Sequence, residues 1–323
     1  MRGTRVAFGR RENGTGFHIH YKNAFLIYNP AAGKVRSGGD RFVGRMIDQL
    51  RSAGIRPTVR VSRGIGTIPE VTSECVGKGA DLVLACGGDG TINEVAEGLL
   101  GTGVPLGILP AGTANVLACE LGFGSNLARA INRLGECRPH EISVGRLTNS
   151  LGSRHFLLMA GVGLDAFIVY RVSAQLKRRL GKVAYWMAGF SQVFSDLEEF
   201  DVEIDGRRQR CSFALVTKVR NYGGDLEIAR GIRITDDRFE VVLFEGPSSF
   251  RYLKYFLGVA TGRLEGMSGV TVTRARCASF HPLNGRSICM QIDGEYAGKA
   301  PGEVRIVPAA LRLLIPPEYG AAS

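Results

Sequence analysis

The residues most suggestive of chemistry lie in "CGGDGT" (86–91), which joins an apolar run to an amphipathic pattern. Glycines at a strand-to-helix junction let backbone N–H groups approach an anion without obstruction by side chains. The start of a helix adds positive electrostatic potential at the same place. The stretch from Gly87 to Thr91 therefore favours phosphate binding, although it lacks the ending of a Walker A loop and the spacing of a dinucleotide fingerprint.

The carboxylate of Asp89 needs a separate explanation, because a negative charge repels phosphate. It suits the stretch if Mg²⁺ or a bridging water lies between it and the phosphate. A turn residue whose side chain accepts local backbone hydrogen bonds is the other interpretation. The residue type alone leaves both open.

Two further glycine-containing stretches follow predicted strands in the same way. "LPAGTAN" (109–115) places Thr113 before a helix, where its hydroxyl could contact a second phosphate or only cap the helix. "NPAAGK" (29–34) offers Asn29, backbone amides and Lys34, although a plain turn would also explain it.

The first half of the chain alternates strand and helix patterns. Apolar runs at 24–30, 81–86 and 104–110, with an alternating segment at 58–62, predict strands, and the segments between them predict helices, one of them at 41–54. Strands without a polar face, interleaved with helices, indicate a parallel sheet covered on both sides. Ligands bind such sheets at the carboxyl ends of the strands, where all three glycine-containing stretches lie.

From about residue 140 the pattern becomes rich in strands and turns, which predicts an antiparallel sandwich. Helical patterns interrupt it at about 182–198 and 250–263. Because the junction near 140–150 has no flexible linker, we expect two close-packed domains with a cleft between them.

Composition narrows the class of protein. The 323 residues carry a formal charge of +11, which favours acidic partners such as nucleotides or anionic lipid surfaces. No apolar run approaches the roughly 20 residues that span a bilayer. Seven scattered cysteines predict reduced thiols in the cytoplasm, and five histidines show no metal-ligand spacing. No aromatic-basic motif supports nucleic-acid binding.

Seven motifs occur in one order: "NPAAGK", "GGDGTINEV", "LPAGTAN", "GVGLDA", "LGKVAY", "NYGG" and "IDGE". This order resembles the diacylglycerol/sphingosine kinase-like lipid kinase family, in particular its soluble bacterial branch, over residues 24–316. "GGDGT" alone is shared with NAD kinases, whereas "GTAN" and "DGE" together separate the lipid branch.

The resemblance implies a fold and its domains. A Rossmann-like α/β domain with a parallel sheet would occupy 23–145, and an antiparallel β-sandwich that binds lipid and metal would occupy 146–304. The basic composition of residues 1–22 predicts a poorly ordered leader, and 305–323 would form a segment returning to the first domain. The active site would lie in the cleft between the domains.

The resemblance also assigns site residues. The implied ATP-binding residues are Asn29, Lys34, Ser62, Gly87, Gly88, Asp89, Gly90, Thr91, Ile92, Asn93, Gly112 and Thr113. Glu295 of "DGE" would act as general base, taking the proton of a lipid hydroxyl that attacks the γ-phosphate, and Asp89 would join it as a catalytic residue. Without the resemblance, Ser62 is an ordinary strand-end serine and Glu295 a surface turn residue.

A magnesium site is implied at "RITDDRFEV" (233–241). Asp236 would be the carboxylate ligand, and the carbonyl groups of Arg233 and Arg238 would complete it, since a hard cation requires oxygen donors. A charged hairpin tip would explain the same residues.

Two positions depart from the family pattern. Ser143 stands where the family commonly has aspartate, and Asp237 where it usually has glycine. Glu141, on the same predicted strand face as Ser143, could compensate. These departures raise the alternative of a nucleotide-binding regulatory protein with weakened catalysis; an NAD kinase-like enzyme is the other alternative.

The expected substrate is diacylglycerol or a related lipid alcohol. A basic segment with an apolar helix at 175–194, which includes Trp186, predicts transient contact with an anionic membrane surface from the cytoplasmic side, or else a domain-packing helix. The sequence leaves a homodimer open.

Overall fold

The computed structural model describes residues 21–64, 66–163, 197–222, 226–248, 254–255, 257–259, 261–283 and 285–320. The backbone divides into two compact units, one of residues 1–141 and 311–323 and the other of residues 142–310. The basic segment at 175–194, nearly all of the leader and part of "NYGG" lie outside the described residues.

The first unit alternates strands and helices along the chain. In order these are β1 (Ala24–Tyr28), α1 (Gly33–Ser52), β2 (Thr58–Val61), α2 (Ile68–Gly77), β3 (Leu82–Gly87), α3 (Asp89–Leu99), β4 (Pro105–Pro110), α4 (Val116–Glu120) and α5 (Leu127–Leu134). Helix α1 begins at Gly33, earlier than the periodicity of the sequence predicts. A short helical segment precedes Gly39, whose φ of 53° interrupts the helical backbone, and the main part of the helix follows it.

The strands of the first unit form a parallel sheet in the order β2-β1-β3-β4. All six residues of β3 are buried, as are the last five of β4. A strand covered on both faces has no polar face, which is why the sequence of these strands shows no alternation.

The second unit is built mainly from β-strands. They are β5 (Arg138–Asn149), β6 (Gly152–Phe156), β7 (Met159–Gly163), β8 (Phe200–Ile204), β9 (Arg207–Cys211), β10 (Phe213–Thr217), β11 (Asn221–Tyr222), β12 (Leu226–Glu227), β13 (Phe239–Phe244), β14 (Val270–Ala275), β15 (Cys277–Pro282), β16 (Cys289–Ile292), β17 (Glu295–Lys299) and β18 (Gly302–Ile315). The first residues of β5 and the last of β18 belong to the first unit.

Besides the short antiparallel pair β11-β12, the strands of this unit form two sheets. One contains β6-β5-β18-β15-β8-β9, and the other is antiparallel in the order β14-β13-β10-β7-β16-β17. Their apolar side chains share one core, in which Phe156 of β6 stacks on Phe239 of β13 with ring centroids 5.8 Å apart. Strand β18 continues from this unit into the first, where its end runs parallel to β4 with Leu313 opposite Leu106.

The predicted fold class is therefore confirmed as a parallel-sheet α/β domain followed by an antiparallel β-sandwich. Among the helices that the structure describes, none has the length and apolar character needed to cross a bilayer.

Candidate active site

The three glycine-containing loops of the first unit lie side by side. Adjacent strands β1, β3 and β4 end at the same edge, since Tyr28 is in register with Cys86 and Gly87 with Pro110. The loops also bond to one another: the N–H of Ala111 donates to the carbonyl of Gly87 at 2.9 Å, and the N–H of Lys34 donates to that of Ala111 at 3.0 Å. The structure thus brings together the loops that sequence reasoning grouped.

The glycines of two of these loops are required by close packing. A Cβ atom placed on Gly112 would lie 2.4 Å from the Cα of Gly88, and one placed on Gly88 would lie 3.3 Å from the Cα of Gly112. A Cβ on Gly87 would lie 2.4 Å from the Cβ of Thr91, which is itself buried. The loops after β3 and β4 therefore touch through their backbones, a reason for glycine that is separate from anion binding.

Replacement of Gly112 by alanine is expected to lower the free energy of unfolding by about 1–3 kcal/mol. The new methyl group would meet backbone atoms of Gly88, which cannot rotate away. Gly33→Ala in the neighbouring loop is the matched control, because its methyl group would be 3.8 Å from the nearest atom. Urea denaturation measures both variants, and equal unfolding free energies would contradict the packing argument.

Asp89 uses its carboxylate within the first unit. Its Oδ2 accepts the N–H of Val116 and its Oδ1 the N–H of Leu117, both at 3.1 Å, so it caps the start of α4. Burial raises the pKa of the Asp89 carboxyl, and the N–H groups of Val116 and Leu117 oppose that rise. These donors lie 27 and 28 residues further along the chain, so they differ from the local turn contacts that the sequence suggested, and a link to nucleotide or metal remains a prediction.

Asn115 is a further site residue, which sequence reasoning missed. It is fully buried and has a φ of 50°, a left-handed backbone that asparagine tolerates better than most residues. Its Oδ1 accepts the N–H of Gly112 at 2.8 Å, and its Nδ2 donates to the carbonyl of Gly112 at 3.0 Å and to Oγ of Ser125 at 3.3 Å. The Ser125 carbonyl in turn accepts Nζ of Lys34, so Asn115 and Ser125 connect two of the loops. The signal available in the sequence was an asparagine directly before a helix.

The other predicted nucleotide-binding residues differ in their surroundings. Asn29 forms a local turn, its Oδ1 accepting the N–H of Ala31 at 2.9 Å, and Ser62 does the same by donating to the carbonyl of Gly64 at 2.9 Å. Thr113 is exposed, whereas Ile92 lies in the core with its N–H bonded to the carbonyl of Gly88. Gly90 and Asn93 are half-buried in α3.

In the second unit, the turn before Glu295 is fixed by its neighbour Asp293. The Asp293 carboxylate accepts the N–H groups of Leu157, Leu158 and Met159 at 2.9–3.0 Å. These donors lie in the short connection between β6 and β7 and at the start of β7. Glu295 itself is exposed at the start of β17, and its Oε2 lies 3.2 Å from Nη2 of Arg154. Arg154 was not among the predicted site residues.

In the turn at 233–237, groups that the resemblance implied as magnesium ligands make contacts within the protein, and the magnesium site stays a prediction. Mg²⁺ takes oxygen ligands in a near-octahedral arrangement. Here Oδ2 of Asp236 accepts the N–H of Arg233 at 3.0 Å, and the Arg233 carbonyl accepts the N–H of Asp236 at 2.9 Å. Nζ of Lys218 donates to the Asp236 carbonyl, and Arg238 is exposed before β13. In the described part of the chain, no group of three or more His, Cys, Asp or Glu side chains could hold a metal.

Lys218 therefore brings a positive charge to the place where a metal ion was predicted. Its side chain is 0 % exposed. Burial lowers the pKa of the Lys218 ammonium to about 8, while the charges of Asp236 and Asp237 oppose the shift.

Ser143 and Asp237, the two positions that depart from the family pattern, lie next to each other in the structure. Oγ of Ser143, which is buried, lies 3.5 Å from Oδ1 of Asp237, and Oδ2 of Asp237 pairs with Arg276. Asp237 is not among the described residues with positive φ, so the turn does not require glycine there. Glu141 is instead paired with Arg312 at 3.1 Å.

Comparison with known proteins gives consistent matches along the chain. The model of the diacylglycerol kinase catalytic domain matches residues 23–147, and that of the YegS C-terminal NAD kinase beta sandwich-like domain matches residues 159–315. A diacylglycerol kinase from Bacillus subtilis (strain 168) is 28% identical over 309 residues, covering 92% of this chain and 97% of its own length. One from Mycobacterium tuberculosis is 28% identical over 277 residues, covering 84% and 88%.

Solved structures show the same fold. The crystal structure of a Bacillus anthracis diacylglycerol kinase superposes with a TM-score of 0.72 at 21% identity, over 92% of this chain and 98% of its own. Another structure from that organism gives a TM-score of 0.79 at 19% identity, over 95% of this chain and all of its own.

The fold, the ordered motifs and these matches define a lipid kinase. Both family models match in sequence order and together take in most of the residues from 23 to 315. Along most of its length, the chain is therefore similar to bacterial diacylglycerol kinases.

Proposed function

We propose that this protein transfers the γ-phosphoryl group of ATP to the hydroxyl group of diacylglycerol or a related lipid alcohol. The observation that carries the proposal is the meeting of three glycine-containing loops at the carboxyl edge of the parallel sheet, where open α/β sheets bind their ligands. Diacylglycerol is proposed as the acceptor because similar proteins are named diacylglycerol kinases.

In this proposal the first unit binds the nucleotide. The first N–H groups of a helix have no acceptor within it, so those of Gly90 and Thr91 in α3 are available for phosphate oxygens. Lys34, held by the carbonyl of Ser125, supplies a positive charge, and the exposed hydroxyl of Thr113 supplies a further donor. Asp89 acts by fixing the loop after β4 against the start of α3.

Glu295 is the proposed general base. Its carboxylate takes the proton of the lipid hydroxyl as that oxygen attacks the γ-phosphorus, and the bond to the bridging oxygen breaks so that ADP leaves with the electron pair. Arg154 holds Oε2, which leaves Oε1 to face the hydroxyl. Mg²⁺ enters the proposal only as the ion that accompanies ATP and neutralises its phosphates.

Contact with the membrane is part of the same proposal. The acceptor lies in a bilayer, and a net charge of +11 favours an anionic lipid surface on the cytoplasmic side.

The test is a transfer assay with ATP and mixed micelles that contain diacylglycerol or other lipid alcohols, followed by mass spectrometry of the extracted lipids. The expected result is a phosphate monoester of one of these lipids, formed only when ATP is present. Phosphorylation of NAD instead would indicate an NAD kinase-like enzyme. Nucleotide binding without transfer to any acceptor would indicate a regulatory protein.

A further inference from the structure

Lys218 is the one lysine or arginine that is buried in the described part of the sandwich. It directly follows β10, whose last residue Thr217 is also buried. An ammonium group removed from water is costly unless it is paired and hydrogen-bonded. The partner here is the carbonyl oxygen of Asp236, at the centre of the turn before β13.

Both aspartates of this turn have a positive side chain of the protein beside them. Asp236 and Asp237 contribute two carboxylates, and Lys218 and Arg276 contribute two cations. Asp237 uses both carboxylate oxygens, one toward Arg276 and the other toward Ser143. Asp236 uses Oδ2 to close the turn on the N–H of Arg233.

A divalent cation at this turn would have to displace these contacts. A cation held by the Asp236 carboxylate would share this residue with Lys218, whose Nζ donates to the Asp236 carbonyl. The buried ammonium would repel a second positive charge strongly, because screening by water is weak there. An ammonium group and a metal ion both serve as a positive centre for oxygen atoms. The Lys218 ammonium group and a divalent metal ion are therefore alternative positive centres for this turn, and we do not expect both to be present together.

We propose that the Lys218 ammonium is a built-in cation that orders the turn at 233–237, so that this turn needs no divalent metal. Lys218 is a positioning residue in this proposal, since it acts on the backbone of Asp236 and touches no substrate. The inference is independent of the proposed kinase function, because the order of the turn can be measured without nucleotide or lipid.

The test compares thermal unfolding in EDTA with unfolding in millimolar Mg²⁺, at matched ionic strength and without ATP. The melting temperature of the wild-type chain is expected to be the same in both. Lys218→Met is expected to lower it by about 5–10 °C in EDTA and to acquire a saturable increase on addition of Mg²⁺. Lys299→Met, at an exposed lysine of β17, is the matched control and is expected to match the wild type in both conditions.

Two results would overturn the proposal. One is a saturable, Mg²⁺-dependent rise in the melting temperature of the wild-type chain, which would show that the protein binds a structural metal. The other is a Lys218→Met chain that loses stability without acquiring a response to Mg²⁺, which would show that the lysine contributes by packing alone. If Lys218→Met does not fold, the wild-type titration decides the question.

Discussion

Glu295→Gln is expected to lower kcat for phosphorylation of the lipid acceptor by about 10²–10⁴-fold. Glutamine has nearly the same shape as glutamate but cannot take a proton from the attacking hydroxyl. Glu295 is exposed at the end of a rigid turn, so the substitution should leave the fold intact. The measurement is initial-rate kinetics of ATP-dependent lipid phosphorylation, with the melting temperature recorded beside it.

Glu303→Gln provides the control for the loss of a carboxylate that is paired with an arginine. Glu303 lies in the same unit and pairs with Arg305 at 2.9 Å, much as Glu295 pairs with Arg154. We expect this variant to keep its full rate. A Glu295→Gln enzyme that retains wild-type kcat would remove Glu295 from the role of general base, whichever lipid proves to be the acceptor.

Asp293→Ala is expected to lower the free energy of unfolding by about 3–5 kcal/mol. The substitution leaves three backbone N–H groups, those of residues 157–159, without the carboxylate that accepts them. Alanine also adopts the φ of 48° at this position less readily than aspartate does. Urea denaturation followed by circular dichroism measures the loss.

Asp293→Asn tests how much of this loss of stability comes from the individual hydrogen bonds to the Asp293 side chain. Oδ1 accepts two of the three N–H groups, and an asparagine oxygen can keep both, while its NH₂ group would face the N–H of Leu157. Asparagine also tolerates positive φ, so we expect a loss between those of the wild type and Asp293→Ala. An alanine variant as stable as the asparagine variant would mean that the three hydrogen bonds do not hold the turn.

The sequence predicted the first unit well because buried strands and amphipathic helices differ in periodicity. β3 has no polar residue between Leu82 and Gly87, and α3 places Ile92, Val95 and Leu99 on one buried face. Local pattern was a weaker guide at α1, where a glycine with positive φ separates a short helical start from the main helix.

The contacts of the candidate site were harder to predict, because most join residues far apart in the chain. "DGE" points to Glu295, but the N–H groups that donate to Asp293 belong to residues 157–159, and no motif near Asp293 in the sequence indicates them. Lys218 bonds to a backbone carbonyl, which has no sequence signature at all. The same holds for Ser143 and Asp237, which look like two separate departures in the sequence and prove to be one contact.

Because Gly88 and Gly112 are in contact, the parallel sheet sets the separation of the two loops that follow β3 and β4. Since backbone meets backbone, no side chain at this contact can be trimmed or enlarged to bring the loops closer or move them apart. Their separation is tied to the distance between neighbouring strands, about 4.8 Å, which is nearly constant in all β-sheets. A new spacing of these two loops would therefore require a different sheet and not a different side chain.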